Sequence, residues 1–225
     1  MIGATLTAAA FMIAQPAYPS RIDPPGVPAR PRTGARGNDA EAQRVMIDFA
    51  SCVAQRSRSS LERFLAQPFG SDDADRLAFR LATPDCLFDA ELRFSQEIFR
   101  GALYDALYRI DFVRMEPADL SAVPPITYYV GATESLTPRQ HRRVGQSLFA
   151  DCVVRAAPSE ARALILSAAT SPTERAAFQA LQPALGPCLV QGAQVRFSRP
   201  MLRGLVAESL YRLTSAASSS ANRVR

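Results

Sequence analysis

Between residues 137 and 212 the apolar positions fall into four helical segments, each opened by a hydroxyl or proline signal. Thr137-Pro138 pairs an N-cap with proline at the first helical position, and Val144, Leu148 and Cys152 then recur at a spacing of four. Pro158-Ser159 opens a second segment carrying Leu164, Ile165 and Leu166. Ser171-Pro172 opens a third, with Glu174 in the N3 position of a capping box; it runs through Phe178 and Leu181 until Pro183, Gly186 and Pro187 stop it. Ser198 caps the fourth, where Met201, Leu202, Leu205, Val206 and Leu210 mark one face. Strand alternation is almost absent, so the expected class is all-α. Arg93-Phe94-Ser95 and Arg196-Phe197-Ser198 read only as short extended entries to the last helices.

The same plan runs from Asn38 to Ile110, with a less sharply punctuated middle, and the reason lies in a duplication. Phe49-Ala50-Ser51-Cys52-Val53 is matched by Phe149-Ala150-Asp151-Cys152-Val153, and Cys86-Leu87 by Cys188-Leu189. Residues 92–109 align with 195–212: Arg93, Phe94, Ser95, Arg100, Gly101, Leu107, Tyr108 and Arg109 recur as Arg196, Phe197, Ser198, Arg203, Gly204, Leu210, Tyr211 and Arg212. Self-similarity at a fixed period is the mark of repeated structural units. The expected architecture is two tandem homologous units of about four helices each, 39–112 and 137–213, related by a pseudo-two-fold. A connector, 113–136, joins them, and the tail 214–225, rich in Ala, Ser and Asn, reads as flexible.

The beginning of the chain has a different character. Residues 1–17 combine an apolar stretch with the small-residue site Ala14-Gln15-Pro16-Ala17, the pattern of a signal peptide without its charged n-region. Residues 18–38 are a Pro- and Arg-rich linker whose composition favours polyproline II over a packed core. Export to the periplasm or beyond is therefore expected. Cysteine usage agrees: four cysteines, none in a CxxC pair, suit disulfides in an oxidising compartment. Four cysteines allow three pairings. Local pairing, Cys52 with Cys86 and Cys152 with Cys188, is expected because each unit then closes its own core. In the chain-entropy model a loop of about 35 residues contributes ~3–4 kcal/mol.

Composition removes several chemistries. All 26 basic residues are arginine, which excludes lysine-dependent P-loop, Schiff-base and general-base chemistry, and the single His141 excludes a multi-histidine metal site. Asp72-Asp73-Ala74-Asp75 lacks the glycine and bidentate glutamate of a calcium loop and reads as acids favouring a helix dipole. No GxSxG, HExxH or GxGxxG occurs. No catalytic, cofactor or metal site is read from the sequence. Charge is uneven: residues 39–109 carry −3 and residues 137–212 carry +6. The basic second unit points to an anionic envelope component or an acidic protein as partner, with nucleic acid not expected. No transmembrane segment is expected, since no apolar run approaches ~18 residues.

The most specific feature is the repeated Arg-Gly…Leu-Tyr-Arg helix. Ile98, Phe99, Ala102, Leu103, Ala106, Leu107 and Ile110 fill one half of its wheel, while Gly101 and Tyr108 share the other. Glycine in a helix costs ~1 kcal/mol relative to alanine, so Gly101 and Gly204 imply a second, close contact surface involving Tyr108 and Tyr211. Asp105 and Arg109, like Glu208 and Arg212, are set for i,i+4 pairs. The Phe-Ala-x-Cys-Val, Cys-Leu and Arg-Gly…Leu-Tyr series resembles a group of small exported alphaproteobacterial proteins without known activity. That resemblance implies a location and no chemistry. The functional expectation is an exported, non-catalytic binding or structural envelope protein; the alternative is a cell-envelope enzyme whose site lies between the repeats.

Overall fold

The computed structural model describes residues 39–82, 84–87, 95–115, 119–129, 133–190 and 195–223. The expected signal peptide, the Pro/Arg-rich linker and the pair Arg93-Phe94 lie outside them. The chain is all-α, with no β-strand among the described residues. Its helices are α1 (Asp39–Arg56), α2 (Arg58–Leu65), α3 (Asp72–Leu81), α4 (Pro84–Leu87) and α5 (Gln96–Phe112). After the connector come α6 (Pro138–Ala156), α7 (Pro158–Leu166), α8 (Pro172–Leu185) and α9 (Arg199–Arg223). Short 3-10 turns occupy Thr133–Ser135 and Gly186–Cys188.

Local chemistry sets the helix starts. Thr137 and Gln140 form a reciprocal capping box on α6, with Pro138 at the first position. Serine hydroxyls at 71, 95, 171 and 198 accept from the backbone N–H three residues on, opening α3, α5, α8 and α9. Asp72, Asp73 and Asp75 lie in the first turn of α3, where they complement the helix dipole. The α2–α3 and α7–α8 turns share a left-handed residue: Gly70 at φ 74° and Thr170 at φ 63°. Glycine adopts this region freely, whereas a β-branched threonine is strained there.

Helices α5 and α9 form the centre and pack chiefly on each other; α1 lies against α5, and α6 against α9. Every residue from Phe99 to Tyr108 is buried, as is every residue from Arg203 to Leu210. Phe99 stacks on Phe49 at 5.4 Å, and Phe197 on Phe149 at 5.3 Å. Full burial, as for Phe49 and Phe99, contributes about 1.5–3 kcal/mol per ring, whereas Phe149 and Phe197 are only partly buried. Disulfides Cys52–Cys86 and Cys152–Cys188 close loops of 34 and 36 residues, each with a Cα separation of 5.7 Å. These are the expected pairs. One ties α1 to α4, the other α6 to the turn after α8.

Two expectations are corrected. The tail is not a loose end: α9 continues to Arg223. Leu213 and Thr214 are buried, and the hydroxyls of Ser215, Ser218, Ser219 and Ser220 bond to carbonyls four residues back, so composition was a poor guide. Helix α8 also runs through Pro183 to Leu185. A proline in a last turn removes one hydrogen bond without a long helix beyond it to disrupt.

Candidate functional site

The two repeated glycines meet. A methyl group built on Gly101 would stand 2.5 Å from the Cα of Gly204, and one on Gly204 would stand 2.8 Å from the Cα of Gly101. Helices α5 and α9 therefore cross backbone to backbone, closer than the ~8–10 Å usual between helix axes. No side chain fits between them.

Beside this crossing lies a buried ionic network. The Arg203 side chain is 2% exposed; its Nε donates to Asp105 at 2.8 Å and another nitrogen donates to Glu174 at 2.7 Å. Arg203 also donates to the carbonyls of Ile165 and Ser167, the last turn and C-cap of α7. Arg109 adds a bond to Asp105 at 2.7 Å and donates to the carbonyls of Ile165, Leu166 and Ser167. Glu174 receives Gln43 at 3.1 Å and the Thr170 backbone N–H at 2.7 Å. The two arginines thus satisfy carbonyls that a helix end leaves open, and they neutralise both carboxylates. Sequence patterning assigned Glu174 to a capping box. Ser171 does cap α8, but the Glu174 side chain turns inward to Arg203.

Arg100, aligned with Arg203, does the same for α2: it donates to the carbonyls of Phe64, Leu65 and Gln67. Glu208, aligned with Asp105, pairs with the buried Arg143 and more distantly, at 3.8 Å, with Arg212. The recurrence of Arg-Gly in the two aligned stretches of sequence was the signal for these arginines. Gln43 and Glu174 carried none, because their partners are more than a hundred residues away or sit on a different helix.

Two clefts flank the crossing. The larger, about 710 Å³, is walled by α1, α5, α8 and α9: Met46, Ile47, Ile98, Ala102 and Pro200 supply apolar surface, with Gly101 and Gly204 between them. Asp105, Glu174 and Arg203 border it, and Asp39, Arg175 and Arg199 stand at exposed positions on its lining. The smaller, about 330 Å³, lies among α6, the α2–α3 turn and the connector, which contributes Thr127, Tyr128 and Tyr129. There the Tyr128 hydroxyl donates to Asp151 at 2.9 Å and accepts from the Ser209 hydroxyl at 3.2 Å, and the Arg212 guanidinium lies 4.9 Å from its ring centre. Burial pushes the Tyr128 phenol well above its ordinary range. Arg155 holds the connector backbone through the carbonyls of Leu120, Val123 and Pro124.

The repeated tyrosines sit differently. Tyr108 is buried, and burial raises its pKa against opposing contributions from Arg162 and Thr214. Tyr211 is half-buried and donates to Asp111 at 3.0 Å, while Arg58 grips the same carboxylate at 2.7 and 3.0 Å. Burial, then the bond to Asp111, pushes the Tyr211 phenol up to about 12. Partial burial works against ionisation of Asp111, but the bonds from Arg58 and Tyr211 outweigh it and hold its carboxyl low. His141 is exposed on α6 and lines neither cleft. Among the described residues no group of His, Cys, Asp and Glu could hold a metal, and no helix is long and apolar enough to cross a membrane.

No family model, no curated protein and no solved structure matches this chain.

Proposed function

We propose that this is an exported, non-catalytic binding protein built from two copies of one helical unit, with its site in the larger cleft over the glycine crossing. One observation carries the reading: a largely apolar cleft of about 710 Å³, within the size range of ligand sites, whose bordering carboxylates are held by arginines. Asp105 and Glu174 each accept an ion pair from Arg203, which suits a rigid wall better than a general acid or base. Thr170, in its strained left-handed conformation, also lines this cleft, and such strain tends to collect at functional sites. Two disulfides fit an oxidising compartment, and the resemblance to exported alphaproteobacterial proteins agrees with that location.

The test uses the mature protein recovered from its own envelope fraction. Native mass spectrometry of the wild type should show a small-molecule adduct, released on denaturation. Ala42 is an exposed lining residue on α1, so Ala42→Trp should fill the mouth and lose the adduct while keeping the parental melting temperature. An adduct equally abundant in Ala42→Trp would move the site elsewhere. No adduct, together with no change in melting temperature on adding envelope lipid extract, would overturn the binding reading.

A further inference from the structure

We infer that the cleft over the glycine crossing takes a single-chain amphiphile with an anionic head, an inference that rests on the binding reading above. The cleft has a floor, walls and a rim of different chemistry. The floor is charge-balanced, because Asp105 and Glu174 face Arg203 and Arg109, so it attracts neither sign strongly. The walls are apolar: Met46, Ile47, Ile98, Ala102 and Pro200 offer a ligand contact surface at roughly 25 cal/mol per Å² removed from water. A cleft of about 710 Å³ is of the size that encloses a drug-sized molecule, which favours one alkyl chain over two.

The rim decides the head group. Arg175 and Arg199 are exposed and make no ion pair among the described residues, although this chain pairs its other cleft arginine, Arg203, twice. Each also stands in the first turn of its helix, α8 or α9, where a cation adds to the positive end of the dipole instead of offsetting it. Asp39 is the only exposed acid on the described lining. Two guanidinium groups without an ion pair among the described residues, beside an apolar wall, complement a carboxylate or phosphate attached to a hydrocarbon chain. The +6 charge of residues 137–212, which include both arginines, adds a long-range attraction for such an anion.

Calorimetric titration with dodecanoate, dodecyl phosphate, dodecanol and dodecylamine, each below its aggregation concentration, tests this directly. The two anions should bind once per chain, at least about tenfold more tightly than dodecanol or dodecylamine. Arg175→Glu/Arg199→Glu changes only exposed positions; it should weaken the anions by at least about tenfold and leave dodecanol unchanged. Ala42→Trp should block all binding. A parallel flotation assay with anionic phospholipid vesicles separates a free acid from a membrane headgroup: binding to vesicles but not to the soluble anions would overturn the cleft assignment. Equal binding of all four probes, still blocked by Ala42→Trp, would overturn the anionic head and leave the binding protein standing. Binding of none of the probes by a protein that still carries its native adduct would also sink the ligand class alone.

Discussion

On one flank of the crossing, Arg203 meets two carboxylates and the cleft above is open; on the other, Arg100 meets carbonyl oxygens and the cleft is partly walled by the chain itself. The aligned positions explain the difference. The connector is held by Asp151, Arg155 and Ser209, and residues 51, 55 and 106 on the other flank are Ser51, Gln55 and Ala106. Ser51 bonds instead to the carbonyl of Ile47 on its own helix. Among the described residues, the grip on an extended segment therefore exists on one side only. Similar helical surroundings among the described residues hold a chain segment on one flank and leave the cleft open on the other.

The largest expected effect separates the two arginines. Arg203→Met would leave Asp105 and Glu174 buried with weaker compensation and should cost ~3–5 kcal/mol. Arg100→Met removes hydrogen bonds to helix-end carbonyls and should cost less, ~1–3 kcal/mol. Urea unfolding of both variants under oxidising conditions compares them. Equal losses would mean that the two flanks are energetically alike and that the carboxylates do not depend on Arg203.

A second comparison asks whether the crossing itself is symmetric. Gly101→Ala and Gly204→Ala each drive a methyl group into the backbone of the opposite glycine, which cannot move aside as a flexible side chain could. Overpacking of this kind costs ~1–3 kcal/mol, against a helix-propensity gain of about 1 kcal/mol. Both variants should melt below the parent by similar amounts. If either one melts above the parental temperature, as the helix-propensity gain of about 1 kcal/mol alone would make it, the helices do not touch at these residues in solution.

Much of this frame was legible in the sequence. Serine and threonine caps, prolines at first helical positions and the recurring glycine marked the helices and their closest approach, because those are local signals or repeated ones. The cysteine pairs followed from the need of each short unit to close its own core. The cleft was not legible. It depends on where α8 sits against α1, and Glu174 and Gln43, 131 residues apart, bear no mark of their contact. Glu174 was even misread, since a glutamate at N3 serves a cap or a distant arginine with the same sequence pattern. The tail was misread for the opposite reason: its composition suggested solvent, yet buried Leu213 and Thr214 start its packing.

The smallest effect tests how firmly the chain holds its own segment. Tyr128→Phe removes the hydroxyl bonds to Asp151 and Ser209 but keeps the ring beneath Arg212. Asp151 is not orphaned, because Arg155 still donates to it at 2.6 Å. The loss should be ~0.5–1.5 kcal/mol, the range for a hydrogen bond without a stranded charge. Its signature should be local: chymotrypsin should cut faster after Tyr129, while the rest of the molecule resists as before. Tyr129→Phe, at an exposed position, serves as the control and should change neither stability nor cutting rate. If Tyr128→Phe behaves like that control, the Tyr128 hydroxyl does not hold the connector, and its hydrogen-bonded anchors are Arg155 at residues 120–124 and Arg162 at Val113 and Met115.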